Sequence, residues 1–183
     1  MEVVEALTTA VEAQWAVGRL VAPADLSRAT KCPGWSVFDV VNHSIGVTLK
    51  FAEFASGSTE SPRSPTGDLI GSSLDEALGS MVATTRRAWE AAEMTRECHL
   101  PFGTFGAEMA AGINLVDVLA HGWDIGSFQG GRFQCGDGVW SVGLEVAREL
   151  IGQRRDPRHY GHEIPVAATA PAEQRFLGYL GRG

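Results

Sequence analysis

Positive charge is scarce in this 183-residue chain: 15 Lys and Arg stand against 22 Asp and Glu, for a formal net charge of -7. An acidic domain repels a phosphate backbone. The basic residues cluster only as the pairs Arg86-Arg87 and Arg154-Arg155, so no nucleic acid is expected as a partner. Cysteine is rarer still. Cys32, Cys98 and Cys135 are far apart and no Cys-x-x-Cys occurs, which removes a thiolate zinc site and a redox pair. In a reducing compartment the three stay as thiols. No apolar run approaches the roughly 18 residues of a membrane helix. The opening MEVVEALTTAVEA is acidic and periodic, without the basic and apolar regions of a signal peptide. The expected location is cytoplasmic, with no membrane partner. Walker, Rossmann and G-x-S-x-G patterns are missing too, so nucleotide and serine-hydrolase readings have no support.

What is present reads as helix. Hydrophobic residues make up 44% and charged residues 20%, ordinary for a globular chain. The expectation is a single domain over 1–183. Val3, Leu7, Ala10, Val11, Gln14, Gly18 and Val21 recur at helical spacing before Pro23. Ser36 opens a second helix with Asp39 at the capping-box position, and it runs to about Ala55. Residues 56–73 are rich in Ser, Gly, Pro and Thr and read as a loop. A third helix fits Leu74–Met94, capped by Ser73 with Glu76. Residues 95–106 read as an extended connection. A fourth helix covers Ala107–Phe128, a fifth Gly138–Gln153, and a short one runs from Pro171 to Leu180. The nearest approach to a strand is Glu163–Ala168, short and extended along the surface. The fold class is all-α: a bundle of four main helices with a peripheral helix and tail.

The fourth helix carries the chemistry. Asn114, Asp117, His121 and Asp124 fall at i, i+3, i+7 and i+10, which puts them on one stripe. Their neighbours Ile113, Leu115, Val116, Val118, Leu119 and Ile125 are apolar. A solvated stripe would carry Lys, Arg and Glu; this one offers carboxylate, imidazole and amide. On the second helix His43 shares an apolar face with Val40, Val47, Phe51 and Phe54, where an unpaired imidazole is costly. Facing stripes in a bundle would bring His43, Asp117 and His121 together as a two-His, one-carboxylate set with open positions. The spacing also fits a plain i, i+4 hydrogen-bonded pair, and the same D-x-x-x-H pattern recurs at Asp39–His43. There Ser36 assigns Asp39 to the cap. Cys32, before Pro-Gly-Trp, reads either as a reactive thiol near a helix start or as a small residue in a tight turn. His99, His159 and His162 fall in expected loops, and Glu145, Arg148 and Glu149 form a solvated face.

Two segments resemble a known family. CPGWSVFDVVNHSIG is similar to the first signature, and NLVDVLAHGWDIGSFQG to the second signature, of the mycothiol-dependent maleylpyruvate isomerase-like, DinB-type metal proteins. The tail IPVAATAPAEQRFLGYLGR resembles the closing segment of an uncharacterised actinobacterial branch. The resemblance implies a DinB-like four-helix bundle holding a divalent metal, with His43, Asp117 and His121 on the ligand positions. It places Asp124 where a residue orients or caps, and Asn114 is the other candidate to support the ligands from behind. Two departures stand out. The family's isomerase has Glu where this chain has the shorter Asp117, and it carries an additional C-terminal domain for which this chain leaves no room.

The expected function is a divalent-metal-dependent enzyme. It would use mycothiol or a similar small thiol for isomerisation or S-transfer on a small electrophilic molecule. The alternatives are a thiol-independent metal-dependent hydrolase, lyase or cyclase, and a non-catalytic small-molecule-binding bundle. Two His and one carboxylate suit zinc first, with nickel, iron or manganese also fitting. No protein nucleophile or general base is assigned; the reactive group would be a thiol or water at the metal. The sequence leaves the oligomeric state open.

Overall fold

The computed structural model describes residues 1–58, 67–100, 102–130, 133–152, 155–157 and 159–183. Four helices close a ring: α1 (Val3–Gly18), α2 (Val37–Ala55), α3 (Leu74–Glu90) and α4 (Ala107–Phe128). α4 packs against α1 and α2, and α3 packs against the same two, giving the expected all-α four-helix bundle. α5 (Asp137–Ile151) lies against α4 and α1, and α6 (Ala172–Leu180) against α5.

Local chemistry accounts for the helix starts. Ser36 Oγ accepts the Asp39 backbone N–H at 3.2 Å, while Asp39 Oδ2 accepts the Ser36 backbone N–H at 2.9 Å. Two otherwise orphaned donors at the head of α2 are thereby satisfied. This confines Asp39 to the cap and takes it out of any D-x-x-x-H pair with His43. Ser73 Oγ accepts the Glu76 N–H at 3.3 Å at the head of α3. α4 is apolar on nearly all sides and buried along most of its length, the pattern of a helix at the centre of its neighbours. Leu7, Ile45 and Leu78 from the other three helices are buried in the same core. A polar pair crosses this core between α1 and α2: Gln14 Nε2 donates to Ser44 Oγ at 2.8 Å, and Ser44 Oγ donates to Gln14 Oε1 at 3.1 Å.

The connection before α4 is more ordered than its sequence suggests. β1 (Glu97–Leu100) and β2 (Gly103–Gly106) pair antiparallel, with Glu97 opposite Gly106 and Leu100 opposite Gly103. Cys98 and Leu100 turn inward and Glu97 and His99 outward. Glu163–Ala168 joins no strand among the described residues. It runs exposed along the surface and is tied to α6 by Ile164 N–H donating to Gly178 O at 2.9 Å. The loop expected over 56–73 falls partly on 59–66, outside the described residues. Its far end is held to α2 by Asn42, whose Nδ2 donates to Gly67 O and whose Oδ1 accepts the Leu69 N–H. No helix among the described residues is long and apolar enough to cross a membrane.

Candidate metal centre

α2 and α4 pack side by side, and His43 faces Asp117 across that seam. His43 Nε2 lies 3.4 Å from Asp117 Oδ1, and His121 Nε2 lies 3.7 Å from the same oxygen, one turn along α4. One donor atom from each of the three residues falls within 4.8 Å of the others. The stripe on α4 and the face of α2 thus meet at the residues their spacing singled out. The shorter Asp117 side chain still brings an oxygen between both imidazoles.

The pair shows opposed electrostatics. Burial works against the charged form of His43, but the Asp117 hydrogen bond and charge outweigh it and raise the imidazole pKa above its ordinary value. Burial likewise works against ionised Asp117. The charges of His121 and His43, the His43 hydrogen bond and the charge of Arg182 together hold the carboxyl below its usual range. Asp117 Oδ2, meanwhile, is buried without a hydrogen-bond partner. A carboxylate normally fills such acceptor sites. A carboxylate with Oδ1 beside two imidazole nitrogens and Oδ2 buried without a partner fits a divalent cation, and the nitrogen and oxygen donor set suits zinc, iron, nickel or manganese.

The cluster is supported from behind. His121 Nδ1 lies 3.0 Å from Asp124 Oδ2, and Asp124 is fully buried. The carboxylate accepts from Nδ1–H, which assigns the tautomer and leaves the Nε2 lone pair free. Asp124 therefore fixes the orientation of the His121 ring. Asn114 is also fully buried, but its Oδ1 accepts from Thr48 Oγ1 of α2 at 3.3 Å. It ties the two helices that carry the cluster together one turn before Asp117.

Other neighbours were not visible as site residues in the sequence. In the Cys32-Pro33-Gly34-Trp35 turn the Trp35 N–H donates to Cys32 O at 3.1 Å, and Gly34 takes φ 80°. This is a conformation open to glycine and strained for other residues. The turn lays Trp35 over the cluster. Its ring is nearly parallel to His121, at 5.8 Å and 10°, and edge-on to His43 at 4.8 Å and 67°. Arg182, beyond α6, reaches Asp124 with Nε to Oδ1 and Nη2 to Oδ2, each at 3.4 Å. The Tyr160 phenol is pushed up by burial and by the Asp117 charge, against Arg182 and Arg155. The Cys32 thiol is pushed up by burial and by the Asp124 and Asp117 charges, with Arg182 opposing. Of the remaining candidates, His99 sits on β1 with Nδ1 2.9 Å from Thr104 Oγ1, and His159 and His162 are exposed in the tail. None of these three belongs to the cluster. Glu145, Arg148 and Glu149 are solvent-exposed on α5.

Comparison with known proteins places this arrangement. Residues 7–126 match the family described as the mycothiol maleylpyruvate isomerase N-terminal domain. The chain belongs to this family. An uncharacterised protein of Mycobacterium tuberculosis, found in strain CDC 1551 / Oshkosh and in strain H37Rv, is 26% identical over 160 residues. That match covers 86% of this chain and 85% of the relative. Among solved structures, the fold resembles a crystal structure of mycothiol-dependent maleylpyruvate isomerase in which a histidine is mutated to alanine. The TM-score is 0.61 at 18% identity, covering 90% of this chain and 75% of that one. This match carries the DinB-like helical fold. All three proposed ligands and Asp124 lie within the span matched to the isomerase family, whereas Tyr160 and Arg182 lie outside it.

Proposed function

We propose that this chain, as one DinB-like metal-binding domain, is a metal-dependent enzyme that uses mycothiol or a similar small thiol on a small electrophilic substrate. The reaction would be isomerisation or S-transfer. The observation that carries the reading is the cluster itself: two imidazole nitrogens beside Asp117 Oδ1, with Oδ2 of the same carboxylate buried and without a partner. Membership of the mycothiol maleylpyruvate isomerase N-terminal family supports the choice of thiol. His43, Asp117 and His121 would hold one divalent ion, zinc first among the candidates. When bound, the ion supplies a Lewis-acid position that favours the thiolate form of a small thiol at neutral pH.

The chain's own groups set the rest. Asp124 holds His121 with Nε2 free for ligation, and His43 ligates once it has lost its proton. Trp35 packs against both imidazoles. Cys32 remains a protonated thiol at neutral pH because burial and two nearby carboxylates disfavour its thiolate. Its poor nucleophilicity supports a thiol brought from outside.

The test is spectroscopic. Purified protein should take up about one divalent ion per chain, and His121→Ala should lose it. With Co(II) in place, added mycothiol should produce a near-ultraviolet thiolate charge-transfer band that is absent from His43→Ala. Folded wild-type protein that stays metal-free after incubation with zinc, nickel, iron and manganese salts would remove the site. Metal uptake with no spectral change at millimolar mycothiol, alone or with electrophiles, would leave the metal and remove the thiol. Thiol-free hydrolase, lyase or cyclase chemistry would then take its place.

A further inference from the structure

The site described so far rests on α2, α4 and the turn before α2, yet its most buried anion is answered from the other end of the chain. Asp124 is fully buried, and its carboxylate faces two groups: His121 Nδ1 at 3.0 Å from Oδ2, and the Arg182 guanidinium at 3.4 Å from each oxygen. Among the described residues Arg182 is the one permanent cation on Asp124. A His121 that ligates through Nε2 would offer Asp124 an N–H donor but no counter-charge. A buried carboxylate without a paired cation is strongly unfavourable. Arg182 supplies that cation, and it engages both oxygens, so it also fixes the plane of the carboxylate that aims His121.

The fold builds Arg182 into this position. α6 ends in a Schellman motif. The Arg182 N–H donates to Leu177 O at 2.8 Å and the Gly181 N–H to Gly178 O at 3.0 Å, with Gly181 at φ 76°. The tail then closes over this turn: Gly161 N–H donates to Leu180 O at 3.2 Å, and a Cβ on Gly181 would lie 2.6 Å from the Gly161 carbonyl carbon and from His162 O. A helix cap and a close backbone approach thus fix where the Arg182 side chain begins, and that side chain is only 18% exposed.

We propose that Arg182 is a positioning residue for the metal centre, acting on His121 through Asp124. The inference rests on the metal reading above. It adds the tail beyond α6 to the set of residues that sets metal affinity, outside the span matched to the isomerase family.

The experiment measures Zn(II) affinity by chelator competition, together with the Co(II) d–d spectrum and metal-free thermal unfolding. The proteins are wild type, R182Q, R182K, D124N and the R182Q/D124N double variant. Loss of a partner behind a metal-ligating His costs about 10–100-fold in affinity, so R182Q should bind zinc at least about tenfold more weakly and shift the Co(II) bands. R182K keeps the charge without the two-pronged contact and should fall between R182Q and wild type. The decisive readout is the double variant. If Arg182 works through Asp124, adding R182Q to D124N should cost less than about twofold more, because the carboxylate it holds is gone. A merely structural loss of tail packing would weaken the double variant by the same factor as the single one, and that result overturns the proposal. So does R182Q binding zinc within about twofold of wild type. Should R182Q not fold, R182K in the wild-type and D124N backgrounds gives the same comparison. Wild-type protein that binds no metal overturns the metal reading and this inference together. Normal wild-type binding with an indifferent R182Q overturns only the role of Arg182.

Discussion

Asp117→Asn separates the metal reading from a plain hydrogen-bonded pair. The substitution keeps the shape of the side chain and removes the one anionic donor of the cluster. In wild-type protein with free metal held at about 100 times its dissociation constant, binding stabilises the fold by about 2.7 kcal/mol. A domain of this size shifts its melting point by about 2–4 °C per kcal/mol, so the metal should raise it by about 5–11 °C. Loss of the charged ligand should weaken binding at least about tenfold. At the same metal concentration the gain drops to about 1.4 kcal/mol, or about 3–6 °C. The metal-free proteins should differ little. The variant would lose the carboxylate contact to His43 at 3.4 Å, but it would also relieve a buried carboxylate whose Oδ2 has no partner. These effects oppose each other and leave a difference of about 1 kcal/mol or less. Differential scanning fluorimetry with and without metal reads both quantities. Asp39→Asn is the control, since Asp39 is committed to the cap on Ser36; it should keep the full metal-induced rise. Equal metal response in Asp117→Asn and wild type, or loss of the response in Asp39→Asn, would refute the assignment.

Two further outcomes follow from the same geometry. Asp117 titrates below its ordinary value in the fold, so its contribution to stability is present above about pH 3.9 and lost as the pH falls through the lowered value. His43 titrates above its ordinary value, so its contribution is complete below about pH 6.5 and lost as the pH rises through the raised value. Metal-free protein should therefore be most stable between these limits and weaken above them, while metal affinity climbs over the same upper range. His43→Ala should flatten the upper limb of denaturation curves measured against pH, and an unchanged limb would refute the pairing. Phe133, 4% exposed, lies against Gly122 and Gly126 of α4 and sits edge-on to Trp140 at 5.7 Å. Phe133→Ala should cost about 3–5 kcal/mol and lower the melting point by about 6–20 °C. A fall under about 3 °C would show that this seam of α4 does not need the ring.

The helices and the three residues of the cluster were legible from the chain alone. Helical periodicity is local, and so is a capping box; Ser36 and Asp39 announce the start of α2 within four residues. The stripe from Asn114 to Asp124 is legible for the same reason, because residues three and four apart share a face wherever the helix lies. The β1–β2 hairpin was not legible. Its strands are four residues each, too short for alternation to separate from an extended linker, and pairing is a property of two segments at once. Which polar residue meets which was also a tertiary matter. Asn114 and Asp124 share the stripe with Asp117, yet one binds Thr48 on α2 and the other holds His121. Trp35 reaches the cluster because a glycine turn folds back over α2. Arg182, 58 residues from Asp124, arrives because α6 and the tail fix its backbone against the rest of the fold. No spacing rule links such positions. Their meeting is decided by helix packing, which sets the neighbours of a buried charge only after the local structure has formed.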